Sequence, residues 1–249
     1  MDKPRVAIFD FACCEGCQLQ ILNMEEDLLN LIGAIQPVEW REALSDHSET
    51  YDIAIIEGSI TRPRDEERLR EIRKRAGVLI ALGACATIGG VNKLKNNFDP
   101  DEVQEYVYGD SADMRHLEAT RVKAVDEVVP VEYHIHGCPI NIHEFSYVVR
   151  CLLNGAEPVV PNYPVCVECK MRENVCRYEY DELCLGPITR AGCNAPCPSA
   201  GFWCFGCRGY VDDPNVDAAS EIMDRYGLTI DDLKSKMLLF NSDQEQTNG

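Results

Sequence analysis

The stretch Arg5-Val6-Ala7-Ile8-Phe9-Asp10-Phe11-Ala12-Cys13-Cys14-Glu15-Gly16-Cys17-Gln18-Leu19-Gln20 decides the fold. Its opening run, Arg5–Asp10, predicts a strand. A C-x-x-C turn at Cys14 and Cys17 leaves that strand directly. Gln18–Ile32 then reads as a helix, with Leu22, Leu28, Leu29 and Ile32 at helical spacing.

The rhythm repeats downstream. Ile53–Glu57 is a short apolar run and reads as a buried strand. Asp65–Ala76 is a charged helix whose Glu66–Arg70 and Glu71–Arg75 pairs sit four residues apart. Val78–Leu82 and Val131–Ile135 read as further strands, and Ile140–Leu153 as a helix. Strands alternating with helices imply an α/β domain over residues 1–160, with a parallel sheet covered on both faces.

Composition shifts near Pro158, Pro161 and Pro164. Residues 161–249 are expected to form a smaller, irregular domain. From Cys166 to Cys207, eight cysteines lie among Gly and Pro. Such a segment buries little apolar surface and needs a covalent or metal framework. Two tail helices follow, Asn215–Tyr226 and Thr229–Leu239, with Thr229 as N-cap and Asp232 three residues on. Ser242–Gly249 reads as a polar, frayed end.

The chain of 249 residues is 45% apolar, as a globular protein is, and its formal charge is −18. That charge repels phosphate backbones, so nucleic acid is not an expected partner. The apolar runs Val6–Phe9 and Val78–Val91 are too short or too broken by glycine to span a membrane. Met1-Asp2-Lys3-Pro4 resembles neither a secretory nor a twin-arginine leader. The expected location is cytoplasmic, where thiols stay reduced and free to bind metal.

Twelve of the fourteen cysteines sort into three sets of four. Cys14, Cys17, Cys85 and Cys138 each follow a predicted strand. In an open parallel sheet such loops gather along one edge, where ligands bind. Soft thiolates suit zinc or an iron–sulfur cluster, and four cysteines are the usual ligand set of [4Fe–4S]; structural zinc or four separate buried thiols are the alternatives. Glycines 16, 83 and 137 allow close backbone approach, and the helix starting near Gln18 would aim its positive end at an anionic cluster.

The other eight read Cys166-x2-Cys169-x6-Cys176-x7-Cys184 and Cys193-x3-Cys197-x6-Cys204-x2-Cys207. They suit two four-thiolate sites, of iron–sulfur or of zinc type. Cys13 and Cys151 are left over. Cys151 reads as a packed thiol within a helix. His134 and His136 flank Cys138; they read as packed along the strand or, for one of them, as hydrogen-bonded to a cluster sulfur. Glu15 lies inside the first cysteine loop, as a solvated carboxylate or facing a subunit interface or proton path.

Cys14-Glu15-Gly16-Cys17-Gln18-Leu19-Gln20, Glu57-Gly58-Ser59, Gly83-Ala84-Cys85-Ala86 and Gly137-Cys138-Pro139 resemble the small subunit of [NiFe]-hydrogenases. Tyr163–Cys169 and Cys184–Ala195 look closest to its cytoplasmic multimeric group, which includes sulfhydrogenase delta and the F420- or methyl-viologen-reducing enzymes. The resemblance implies a flavodoxin-like domain holding a proximal cluster through Cys14, Cys17, Cys85 and Cys138. It implies a medial cluster on Cys193, Cys197, Cys204 and Cys207, and a distal one on Cys166, Cys169, Cys176 and Cys184. Cys197 supplies a fourth ligand where periplasmic relatives have three, and Cys166 stands where they place a histidine.

The implied role is electron relay within a multi-subunit oxidoreductase. In that family the Ni–Fe site belongs to a separate large subunit, so it is expected on another chain. The further redox subunit is of flavin, ferredoxin-like or heterodisulfide-reductase-linked type. No G-x-G-x-x-G follows a strand, so a nicotinamide or flavin is expected elsewhere. Competing readings are a complex I-type quinone-reductase cluster subunit, whose tandem cysteines Cys13-Cys14 superficially match, a zinc-stabilised interaction module, and a stand-alone ferredoxin-like carrier.

Overall fold

The computed structural model describes residues 3–109, 118–214 and 216–241. The expected frayed end, Ser242–Gly249, and Asn215 at the start of the tail lie outside the described residues. The chain divides into two compact units, Met1–Ile142 and His143–Gly249.

The first unit is built on five parallel strands: β1 (Arg5–Asp10), β2 (Gln36–Trp40), β3 (Ile53–Glu57), β4 (Val78–Leu82) and β5 (Tyr133–Ile135). Their order is β2-β1-β3-β4-β5, the flavodoxin-like arrangement. The chain turns one way from β1 to β2 and the other way to β3. Just past the strand ends the loops after β1 and β3 stay paired: the Ala12 N–H donates to Ser59 O at 3.1 Å and the Ser59 N–H to Ala12 O at 2.9 Å. Strand β2 went unpredicted because Pro37 interrupts it; as an edge strand it tolerates proline.

Period-two alternation sets the core. Ala7 and Phe9 of β1, Ala54 and Ile56 of β3, and Leu79 and Ala81 of β4 share one cluster with Leu69 and Ile72. The opposite face buries Ile8, Ile55, Ile80 and Leu82. Both faces are thus covered, as a parallel sheet requires.

The single helix expected over Gln18–Ile32 is two: α1 (Gly16–Leu22) and α2 (Glu26–Ala34). The break falls where Met24 turns inward and Glu25 adopts φ 53°. Ile21 is fully buried on α1, whereas Leu29 is exposed on α2, so the leucine spacing spans two separate faces.

Helix α3 (Pro63–Arg75) opens with proline in its first turn. Leu69 and Ile72 are its buried apolar residues, and burying each contributes about 1.5–3 kcal/mol. It keeps the Glu66–Arg70 pair at 2.7 Å; Glu71 instead meets Lys74 at 2.6 Å. Helix α4 (Gly83–Ile88) starts directly at the end of β4, and α5 is Pro100–Tyr108.

The second unit contains α6 (Ile142–Leu153), apart from its first residue, and α7 (Val165–Met171), α8 (Pro196–Ser199), α9 (Val216–Arg225) and α10 (Ile230–Asn241). Its core is small: Val165, Tyr178, Leu183, Cys184, Ala195, Cys204 and Met223. Ile222, Tyr226, Leu228 and Leu233 pack against it. The helical tail thus completes this core. Thr229 and Asp232 cap α10 reciprocally: the Asp232 carboxylate accepts Thr229 N–H at 2.9 Å, and Asp232 N–H donates to Thr229 Oγ1 at 3.3 Å. No described helix is long and apolar enough to cross a membrane.

Candidate iron–sulfur sites

The sheet brings the first cysteine set together. Cys14 and Cys17 leave β1, Cys85 sits in α4 after β4, and Cys138 follows β5. The Ala84 N–H donates to Gly137 O at 2.7 Å, tying the Cys85 turn to the Cys138 loop. The Cys85 thiol is pushed up to about 12, first by burial and then by Cys138, Cys14 and Glu57. Cys17 is raised by burial and feels Glu57 and Cys138. Cys138 is raised by burial and feels Cys14 and Glu57. These four sulfurs thus lie within electrostatic reach of one another. Gly83, at φ 80°, presses so close to Cys17 Sγ that any Cβ would collide with it.

The positive end of α1 is already engaged. Glu57, at the end of β3 and 2% exposed, accepts Cys17 N–H at 3.1 Å and Gln18 N–H at 3.2 Å. The helix end expected to face a cluster is instead bound by this carboxylate. Gln18 in turn accepts Trp40 Nε1–H at 2.9 Å, which fastens α1 to β2. The sequence signal for Glu57 is an acid closing a wholly apolar strand, Ile53-Ala54-Ile55-Ile56.

In the second unit, the Cys166 thiol is pushed up to about 12 by burial, then by Cys184, Cys169 and Cys176. The remaining three thiols of its set thus lie within electrostatic reach of Cys166. In the other, Cys193 interacts with Cys197, and Cys204 with Cys207. The sets adjoin: the Cys204 N–H donates to Cys184 Sγ at 3.1 Å. Gly186 stands against Cys166 Sγ and Cys184 Sγ, at 3.2 and 3.4 Å from the position of a Cβ.

Several sulfurs accept backbone N–H groups: Cys17 from Ile140, Cys184 from Gly186 and Cys204, Cys193 from Ala195, and Cys204 from Gly206. Asn174 adds a side-chain donor to Cys169 Sγ at 3.7 Å. Donors aimed at sulfur favour the thiolate and suit the anionic sulfur of an iron–sulfur cluster. Among the described residues, no three His, Cys, Asp or Glu side chains converge on a single-ion site.

Two braces escaped the sequence reading. The Glu168 carboxylate accepts Gly192 N–H at 2.9 Å and Asn194 N–H at 2.8 Å, straddling Cys193. Arg208, next to Cys207, forms a two-pronged pair with Glu144 at 2.7 and 2.8 Å. The partners are 64 residues apart, so no local pattern marks them.

The remaining candidates fall elsewhere. Glu15, at φ 61°, pairs with Arg41 at 2.8 Å, and Arg41 also holds Asp10 at 3.0 Å. His134 and His136 stack with ring centres 5.8 Å apart, and His134 Nε2 lies 3.3 Å from Asp126. The Cys13 thiol is pushed up to about 12 by burial and by Glu57. Cys151 sits in α6, partly buried.

A family profile described as NADH ubiquinone oxidoreductase, 20 Kd subunit, matches residues 14–152. That span starts at Cys14 and takes in Cys17, Cys85 and Cys138. The chain belongs to this family. Within it the chain is a hydrogenase small subunit. Sulfhydrogenase 2 subunit delta of Pyrococcus furiosus is 38% identical, over 88% of this chain and 92% of its own. A vhu-type F420-non-reducing hydrogenase chain of Methanococcus voltae is 32% identical, over 96% and 94%. A solved NAD+-reducing [NiFe]-hydrogenase in the H2-reduced state shares the fold, with a TM-score of 0.59 and 28% identity over 64% of this chain and 96% of its own. Small subunits of this kind are components of oxidoreductases whose catalytic centre sits on the large subunit.

Proposed function

We propose that this small subunit holds three [4Fe–4S] clusters and relays electrons between a large subunit carrying the Ni–Fe site and a further redox subunit. The proximal cluster falls to Cys14, Cys17, Cys85 and Cys138. The medial one falls to Cys193, Cys197, Cys204 and Cys207, and the distal one to Cys166, Cys169, Cys176 and Cys184. The relatives named for sulfhydrogenase and F420-non-reducing hydrogenase support this reading. So does the absence of a membrane-spanning helix among the described residues, which accords with a cytoplasmic complex.

The observation that carries it is the first set. Loops far apart in sequence deliver four thiols to the carboxyl edge of one sheet, where α/β proteins bind cofactors. When bound, such clusters take up and release single electrons. The chain's own residues do the rest. Backbone N–H groups hold sulfur charge, and Glu57 and Glu168 fix the ligand loops.

The test is purification of the native complex without oxygen. The reading expects a nickel-containing large subunit to accompany the chain, and H2 to reduce the chain's iron centres, seen by electron paramagnetic resonance. An iron-loaded chain that never accompanies a nickel subunit would contradict the hydrogenase assignment and leave the clusters standing.

A further inference from the structure

The buried pair Glu144–Arg208 ligates nothing, yet it sits against a ligand loop. Arg208 is 1% exposed and Glu144 8%. The guanidinium donates from Nη1 and Nη2 to both Glu144 oxygens, at 2.8 and 2.7 Å, and from Nε to Ala191 O at 2.7 Å. Ala191 lies two residues before Cys193, and Arg208 directly follows Cys207. Gly192, at φ 112°, lies on the pair itself. A Cβ there would meet Arg208 Nη2, and would stand 2.9 Å from both Arg208 Cζ and Glu144 Oε1. Only glycine lets the Cys193 loop approach the guanidinium so closely.

Stability alone is a poor reason for this arrangement. Replacing a buried ion pair with apolar side chains is often neutral or stabilising. The pair does place a fixed cation against Gly192, the residue before Cys193, with the Glu144 carboxylate bound to it. In a low-dielectric interior such a charge acts strongly on its neighbours.

We propose that Arg208, oriented by Glu144, is a positioning residue that sets the reduction potential of the cluster on Cys193, Cys197, Cys204 and Cys207. This rests on the cluster reading above. One-electron reduction adds one negative charge to that site, with the electron supplied by a neighbouring centre or by dithionite, and no bond is made or broken. A buried cation stabilises the reduced state and raises the potential, and Glu144 moderates it.

The test uses the full chain in its native complex, titrated with dithionite and followed by electron paramagnetic resonance. Glu144→Gln keeps the shape but removes the moderating charge. It is expected to shift one of the three centres to more positive potential and leave the other two in place. Arg208→Met is expected to shift the same centre negative, and Arg208→Lys to return it toward wild type. If Arg208→Met fails to load iron, Glu144→Gln and Arg208→Lys carry the test. Full iron in Glu144→Gln with all three potentials unmoved, or all three moved alike, overturns the assignment to Arg208. A wild-type chain without iron overturns the cluster reading itself.

Discussion

Glu57 binds the backbone at Cys17: one carboxylate oxygen accepts the Cys17 N–H at 3.1 Å, and the other takes the next N–H, of Gln18, at 3.2 Å. A strand-end acid thereby fixes the first turn of the helix that carries a proposed ligand. Hydrogen bonds to a charged group are worth about 1.5–3 kcal/mol each. Glu57→Ala is therefore expected to cost about 3 kcal/mol of stability in urea unfolding of the metal-free chain. It should also lower iron content by about four atoms per chain, the complement of one cluster. Unchanged iron and stability would show that the contact positions nothing.

The division of the cysteines has its own test. Cys85→Ala is expected to remove about four iron atoms from about twelve. Cys13→Ala and Cys151→Ala are expected to keep the full complement, measured by iron analysis on anoxically purified protein. Cys13 is the sharper case, because its thiol feels both Cys85 and Glu57. Iron lost on replacing Cys13 would make it a ligand.

How the metal-free chain responds to pH follows from burial. The folded Cys85 thiol, on the sheet unit, is held up to about 12, against about 8.5 when unfolded. Both states are protonated below about pH 8.5, so this group leaves stability unchanged there. Above it the unfolded chain loses protons first, and stability falls as pH climbs toward about 12. The urea midpoint of the iron-free protein should therefore be lower at pH 10 than at pH 8. A higher midpoint at pH 10 would contradict this.

The tail offers a local test. Thr229 and Asp232 cap α10, which carries buried Phe240 and the Asn241 contact to Gly206 O at 3.1 Å. Thr229→Ala removes the cap, at about 1 kcal/mol. Amide exchange in α10 should accelerate about five-fold, with iron content preserved.

What could be read from the sequence was what is local or periodic. The runs at Arg5–Asp10, Ile53–Glu57 and Val78–Leu82 carry the alternation of a doubly covered sheet, and those strands stand as expected. The T-x-x-D cap at Thr229 is equally local. Strand β2 was hidden by Pro37, whose cost vanishes at a sheet edge. The break between α1 and α2 was hidden because it depends on Met24 finding the core. Glu57, Glu168 and the Glu144–Arg208 pair act across tens of residues. No spacing rule finds them; the fold has to bring them together.

The central claim is that the twelve grouped thiols hold iron–sulfur clusters. Iron analysis with Mössbauer spectroscopy of the iron-57-labelled chain, purified without oxygen, tests it most directly. The account predicts about twelve iron atoms per chain, all in three [4Fe–4S] centres. A colourless protein containing zinc and no iron would contradict it.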